Sequence, residues 1–225
     1  MPGWFITFEG IDGSGKSTFA RKTAKYLKSL GQPVFLTKEP TATWLGAAVR
    51  KSHRAETDPL TTAFLFLADR VEHTRLVRSH RALGETVVSD RYVDSTLAYQ
   101  TVTLHERLSD PLQFLKAASD PIVLWPERTF LITVDPEEGM RRIASRKQTM
   151  GYERAEFLAK VQEVYKELAK DPRFRVIDGN GTKRRTWKQL QAELDSMLTT
   201  GSSQVGGQSA TETTPGPPEV DPHNL

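Results

Sequence analysis

Glycines at positions 10, 13 and 15 precede Lys16 and Ser17 in the run Gly10-Ile11-Asp12-Gly13-Ser14-Gly15-Lys16-Ser17, which fits the pattern G-x-x-x-x-G-K-[ST]. Glycines at this spacing let successive backbone N–H groups turn toward one anion. The lysine can reach the outer phosphates of a nucleoside triphosphate, and the serine hydroxyl can ligate the Mg²⁺ those phosphates carry. A helical pattern from Thr18 to Leu30 follows directly, so a helix N-terminus adds its dipole to the same anion. The apolar run Trp4–Phe8 ahead of the loop reads as a strand. The loop therefore joins a strand to a helix, the setting a phosphate cradle needs. A glycine-rich structural turn is the competing reading, and the flanking elements count against it. What the nucleotide is used for is left open by this loop.

Two further groups bear on that use. Asp90-Arg91-Tyr92 follows a predicted strand at Thr86–Ser89, and ligands of open α/β sheets bind at the carboxyl ends of strands. An aspartate there can hold the water shell of Mg²⁺, and an arginine can clamp a phosphoryl group. Without the phosphate loop, this pair would read as a surface ion pair. Phe66 and Arg70 stand four residues apart in a helical pattern and so share a face, an aromatic plate beside a guanidinium that suits a flat base with polar edges. Read alone, Phe66 in the apolar run Phe64-Leu65-Phe66-Leu67 belongs in a core.

The elements that must position these groups alternate along the chain. Strands are predicted at Trp4–Phe8, Val34–Thr37, Thr86–Ser89, Thr129–Val134 and Arg175–Ile177. Helices are predicted at about 16–30, 44–53, 60–83, 105–119, 136–147, 154–170 and 186–198, with Gly31 and Gly84 closing two of them. In the helix at 60–83, Leu60, Phe64, Leu67, Val71 and Leu76 fall roughly on one face. This alternation predicts one α/β domain, a parallel sheet covered by helices on both sides.

Composition narrows the classes. The chain has no cysteine, which excludes a disulfide scaffold, a thiolate zinc site and cysteine nucleophile chemistry. No apolar run approaches the roughly 18 residues that cross a bilayer, and the N-terminus lacks the shape of a signal peptide, so a soluble, cytoplasmic protein with no membrane partner is expected. His53, His73, His80, His105 and His223 are scattered without metal-ligand spacing, and no metal site is expected beyond nucleotide-borne Mg²⁺. The net charge is +3. Residues 199–225 contain Glu212, Glu219 and Asp221 and no Lys or Arg, which leaves the rest of the chain more basic and suited to anionic ligands. That last stretch is rich in Gly, Ser, Thr and Pro and is expected to be a disordered tail after a domain at 1–198.

Four segments together carry a resemblance. Phe-Glu-Gly-Ile-Asp-Gly-Ser-Gly-Lys-Ser-Thr at 8–18, Thr-Lys-Glu-Pro-Thr at 37–41, Ala-Asp-Arg-Val-Glu-His at 68–73 and Asp-Arg-Tyr-Val-Asp-Ser-Thr-Leu-Ala-Tyr-Gln at 90–100 resemble the thymidylate (dTMP) kinases. They occur in that family's order, the spacing holds through Val-Asp-Pro-Glu at 134–137, and the likeness covers about residues 4–195. The resemblance implies a P-loop three-layer sandwich, a five-stranded parallel sheet flanked by helices, with a mobile lid at about 142–153. It implies phosphorylation of dTMP to dTDP by ATP with Mg²⁺, in a homodimer; no nucleic-acid partner is expected.

The resemblance also assigns roles by position. Gly10, Ile11, Asp12, Gly13, Ser14, Gly15, Lys16, Ser17 and Thr18 would hold ATP, with Asp12 organising the acceptor side. Arg50 and Arg91 would grip the dTMP phosphate, Phe66 would stack on thymine and Arg70 would read its edge. Glu39, Thr96 and Gln100 belong to the same dTMP site, and Tyr99 would crowd the sugar 2′ position and favour deoxyribose. Ser17 and Asp90 would serve Mg²⁺ through nucleotide and water. Asp12, Lys16, Arg91 and Arg146 form the implied catalytic set. The phosphate loop carries no arginine between its glycines, so transition-state charge falls to the lid, with Arg142, Arg146 and Lys147 as candidates. The chain departs from many relatives in reading Glu39-Pro40-Thr41-Ala42-Thr43 where they have Glu-Pro-Gly-Gly-Thr, and Gln148 to Glu153 is less basic than the usual lid.

Two alternatives remain open from the residues. A kinase for dUMP or a modified thymidylate would share this scaffold, since one methyl group is worth only about 1–3 kcal/mol of discrimination. A P-loop switch or nucleic-acid-linked ATPase is opposed by the absence of an Asn-Lys-x-Asp segment and of aromatics interleaved with basic residues.

Overall fold

The structure, a computed structural model, describes residues 3–53, 55, 57–144 and 152–203. The chain divides into two compact units, Met1–Gln191 and Ala192–Leu225, and the whole sheet belongs to the first. Five strands, β1 (Phe5–Glu9), β2 (Val34–Lys38), β3 (Thr86–Asp90), β4 (Arg128–Thr133) and β5 (Phe174–Asp178), pair in parallel in the order β2-β3-β1-β4-β5. The expected α/β class and parallel sheet are found, with strand ends shifted by a residue or so. β1 is buried along its whole length because it has a neighbour on each edge and helices over both faces, which is why it reads as an apolar run. Phe8 lies opposite Asp90 on one side and Phe130 on the other. The loop after β1 and the residues after β3 therefore leave the same edge of the sheet side by side.

Eight helices are described: α1 (Lys16–Ser29), α2 (Trp44–Ser52), α3 (Pro59–Ala82), α4 (Val93–Thr103), α5 (Pro111–Ser119), α6 (Pro136–Ala144), α7 (Tyr152–Leu168) and α8 (Lys183–Ser203). Phe5, Val87, Leu131 and Phe174 of the sheet share one core with Ala63 and Val77 of α3, Leu97 of α4, Leu115 of α5 and Leu158 of α7. Ile6 and Phe8, which alternate with Phe5 along β1, are buried on the opposite face, where α1 packs and Phe8 meets the ring of Phe130. The result is three layers.

Several expectations need correction. The helix α4 was not expected, and the helix expected at 105–119 begins only at Pro111, where Asp110 caps it. The apolar stripe read on the helix at 60–83 is buried only in part: Leu67 is buried and Leu60 packs against the core, but Phe64, Val71 and Leu76 are 53%, 49% and 41% exposed, while Thr62, Asp69, Arg70, His73 and Thr74 are buried. Residues 199–203, assigned above to a disordered tail, continue α8 to Ser203. Residues 204–225 and most of the lid, including Arg146, Lys147 and the stretch 145–151, lie outside the described residues.

Candidate active site

The loop from Gly10 to Gly15 leaves β1 and enters α1 with Gly15 as the N-cap in a left-handed conformation at φ 97°. No side chain caps this end, so the first N–H groups of α1 face the loop. Gly13 has φ 83°, and a Cβ there would fall 2.1 Å from the carbonyl oxygen of Gly139 in α6. The loop is thus shaped by its own glycines and by the close approach of a second helix. Lys16 is buried, donates to the Ile11 carbonyl at 3.2 Å and lies 3.6 Å from the Asp12 carboxylate. Burial, and then the nearby Arg91, lower its ammonium to about 8. A cavity of about 500 Å³ runs along Gly13 to Thr18, with Arg141, Arg142 and Gly179 across from them. Arg142 is steered there by hydrogen bonds to Glu138 at 2.7 Å and to the Gly179 carbonyl at 3.0 Å. Basic groups opposite a phosphate loop suit a triphosphate.

Asp12, Arg91 and Tyr99 meet on the other side of the loop. Arg91 donates to the Asp12 carboxylate and stands 5.1 Å over the Tyr99 ring, and the Tyr99 hydroxyl accepts the Asp12 N–H at 3.0 Å. Arg91 has φ 73°, a left-handed conformation rarely adopted by a residue with a side chain. Burial raises the Tyr99 hydroxyl to about 12, so it stays protonated.

A second group joins Glu39, Arg70 and Thr96. Arg70 is 0% exposed and uses one terminal nitrogen for both the Glu39 carboxylate and the Thr96 hydroxyl, the latter at 2.8 Å. Its Nε and other terminal nitrogen are buried and have no partner among the described residues. Buried donors in that state call for an acceptor. Burial opposes the charge of Glu39, but Arg70 and then His73, which bonds it at 2.8 Å, hold the carboxyl below its ordinary range. Phe66 is half-buried outside the main core, its ring edge toward His53 at 5.5 Å. Gln100 is buried and accepts from Thr103 at 3.1 Å. Arg50 is exposed and donates to the Thr41 carbonyl at 2.6 Å, which ties it to the turn after Glu39.

That turn is pinned by Asp69, which accepts from the backbone N–H of Thr41 at 2.8 Å, and by Thr43, which caps α2 through Gly46. A Cβ on Gly46 would fall 2.1 Å from the Thr41 carbonyl, so only glycine lets α2 lie this close. Ser17 and Asp90 border one cavity of about 630 Å³. Asp90 Oδ1 is buried and unpartnered among the described residues. Two oxygen donors of this kind fit Mg²⁺, which keeps waters and substrate phosphates as its other ligands. No group of three or more His, Cys, Asp or Glu residues that could hold a metal ion occurs among the described residues.

Residues not singled out by sequence also enter the site. His73 bridges Glu39 and Thr37, Asp69 anchors the turn, and Glu9 at the end of β1 is buried against Ser95 and Tyr165. Burial, with the charge of Asp94 second, pushes the Glu9 carboxyl up to about 7.

The family model described as "Thymidylate kinase" matches residues 8–189. The chain is 42% identical over 195 residues to the "Probable thymidylate kinase" of Methanosarcina mazei, covering 84% of this chain and 94% of that protein. It is 41% identical over 192 residues to the "Probable thymidylate kinase" of Methanoculleus marisnigri, covering 84% and 93%. It is 32% identical over 208 residues to the "Thymidylate kinase" of Bifidobacterium longum subsp. infantis, covering 88% of each.

Proposed function

The chain belongs to the thymidylate kinase family, and from that premise we propose how its residues divide the work of the reaction ATP + dTMP → ADP + dTDP. The protein is a nucleoside monophosphate kinase, and its donor is ATP. Such a transfer asks for positioning and charge neutralisation rather than a covalent intermediate.

The ATP phosphates lie in the loop 10–18, where Lys16 meets the outer oxygens. Arg142, directed across the same cavity, adds a guanidinium to the charge of Lys16, since the loop has no arginine between its glycines. Mg²⁺, held through the phosphates, water and the oxygens of Ser17 and Asp90, would neutralise the β- and γ-oxygens when bound. Arg91 and Arg50 hold the dTMP phosphate, with Asp12 fixing the Arg91 guanidinium. Phe66 stacks on the base, Arg70 takes its edge together with Thr96 and Gln100, and Tyr99 crowds the 2′ position of the sugar. The observation that carries this assignment is Arg70: a fully buried guanidinium with two unpartnered donors among the described residues, on the helix that also presents Phe66. A pyrimidine edge supplies the acceptors those donors lack.

We also propose a homodimer. The apolar side chains that α3 leaves exposed, Phe64, Val71 and Leu76, support a second copy packing there. We propose a cytoplasmic location because ATP and free nucleotides are held there; no described helix is long and apolar enough to cross a membrane.

The test is a coupled ADP-release assay with Mg-ATP and dTMP, dUMP, UMP, dCMP, dGMP and AMP. Turnover is expected with dTMP, weaker with dUMP and negligible with the rest. Phe66→Ala should raise the dTMP KM about tenfold, the size of one base–aromatic stack. No ADP release with dTMP would sink the activity, and an unchanged KM would return Phe66 to a packing role.

A further inference from the structure

Arg91 carries the grip on the acceptor phosphate in the reading above, and its conformation has to be held from outside because the backbone disfavours it. Its amide donates to the Phe8 carbonyl at 3.0 Å, and its own carbonyl accepts from the Ser89 hydroxyl at 2.7 Å. The next amide, of Tyr92, donates to Glu9 Oε1 at 2.7 Å. The guanidinium is fixed at one terminal nitrogen by Asp12 and at the other by the Ser95 hydroxyl, 2.9 Å away. Ser95 has one hydroxyl proton and gives it to Glu9 Oε2 at 2.5 Å, so it accepts from Arg91 and donates to Glu9 at once. Tyr165 of α7 gives its proton to the same Oε2 at 2.9 Å. Burial, and then Glu9, hold the Tyr165 hydroxyl well above its ordinary value, so it remains a donor.

We propose that Glu9, Ser95 and Tyr165 are positioning residues for Arg91: the buried carboxylate anchors both the backbone after Arg91 and, through Ser95, the guanidinium, and the Tyr165 hydroxyl keeps that carboxylate in place. This inference rests on Arg91 as the acceptor-phosphate clamp. Two other roles fit less well. Glu9 as a general base has nothing to deprotonate, since the acceptor is a phosphate oxygen. Tyr165 as core filling would need no hydroxyl, yet its oxygen lies on a fully buried carboxylate whose hydrogen bonds come from the protein.

The experiment compares Tyr165→Phe, Ser95→Ala and Arg91→Lys, alone and with Tyr165→Phe combined with Arg91→Lys, by steady-state kinetics in both substrates and by direct titration with ATP. Tyr165→Phe and Ser95→Ala should each raise the dTMP KM about tenfold, one hydrogen bond's worth, with the ATP KM and ATP affinity unchanged. In the Arg91→Lys background, whose single amine cannot bridge Asp12 and Ser95, Tyr165→Phe should have no further effect. A merely structural loss would lower ATP affinity in step and would add in full to Arg91→Lys; either result overturns the proposal, as does an unchanged dTMP KM in both single variants. If Tyr165→Phe fails to fold, Ser95→Ala answers the same question. An Arg91→Lys enzyme with normal dTMP KM would overturn the clamp itself; a raised KM there with no change in the other two would overturn only the relay.

Discussion

Glu9 is pulled in two directions. Three donors point at its carboxylate, which favours the ionised form, while complete burial and the neighbouring Asp94 favour the neutral one. Burial has the larger effect, and the carboxyl rises from 4.5 to about 7 in the fold. Between those values the folded chain binds a proton that the unfolded chain has released. The contribution of Glu9 to stability is therefore complete below about pH 4.5, declines as pH rises and is gone above about 7, a swing of at most ~3 kcal/mol. Glu9→Gln should remove this slope, so thermal melts from pH 5 to 8 should favour wild type over the variant more at the acid end. Parallel pH profiles for the two proteins would show that Glu9 does not titrate there. Glu9 falls inside the segment 8–18 that carries the family resemblance, but nothing in the sequence assigned it a role. It is one acid at the end of an apolar strand, and its partners Ser95 and Tyr165 lie 86 and 156 positions away. Lys16 and its glycines were legible for the opposite reason: a phosphate demands them at fixed local spacing.

Helices were legible where one face is apolar and the other wet. α4 escaped because it is buried nearly all round, with Val93, Asp94, Ser95, Thr96, Leu97, Ala98 and Gln100 all inside, so no stripe with a 3.6-residue period exists to read. α3 buries a mixed face: Ala63, Leu67 and Val77 lie inside beside Asp69, Arg70 and His73, which pair with the turn and with Glu39, so its apolar stripe marks the buried side only in part. The turn depends in addition on how α2 enters. Gly46→Ala would drive a methyl group against the Thr41 carbonyl, with backbone on both sides and no flexible side chain to yield. A loss of about 1–3 kcal/mol in stability is expected, together with a raised dTMP KM, because Arg50 hangs on the same carbonyl. Normal stability in a denaturant melt would mean that α2 can shift without cost.

The parallel sheet followed from strands alternating with helices, and that pattern holds for the described chain. What alternation does not specify is which surfaces of the finished molecule remain uncovered. Phe64, Val71 and Leu76 share one apolar stripe in the sequence because a helix pattern cannot distinguish an apolar face turned inward from one left exposed, and the proposed homodimer would cover them. Phe64→Asp should therefore shift the protein from dimer to monomer in light scattering while leaving the fold intact. A monomeric wild type, or a variant that stays dimeric, would remove α3 from the interface. A domain of this size is held by only about 5–15 kcal/mol, and a left-handed arginine gives up roughly 1–2 of them. Glycine at position 91 would recover that amount and discard the guanidinium. If Arg91 holds the acceptor phosphate as proposed, stability and turnover oppose one another at this one position, and Arg91→Gly should give a more stable but inactive protein.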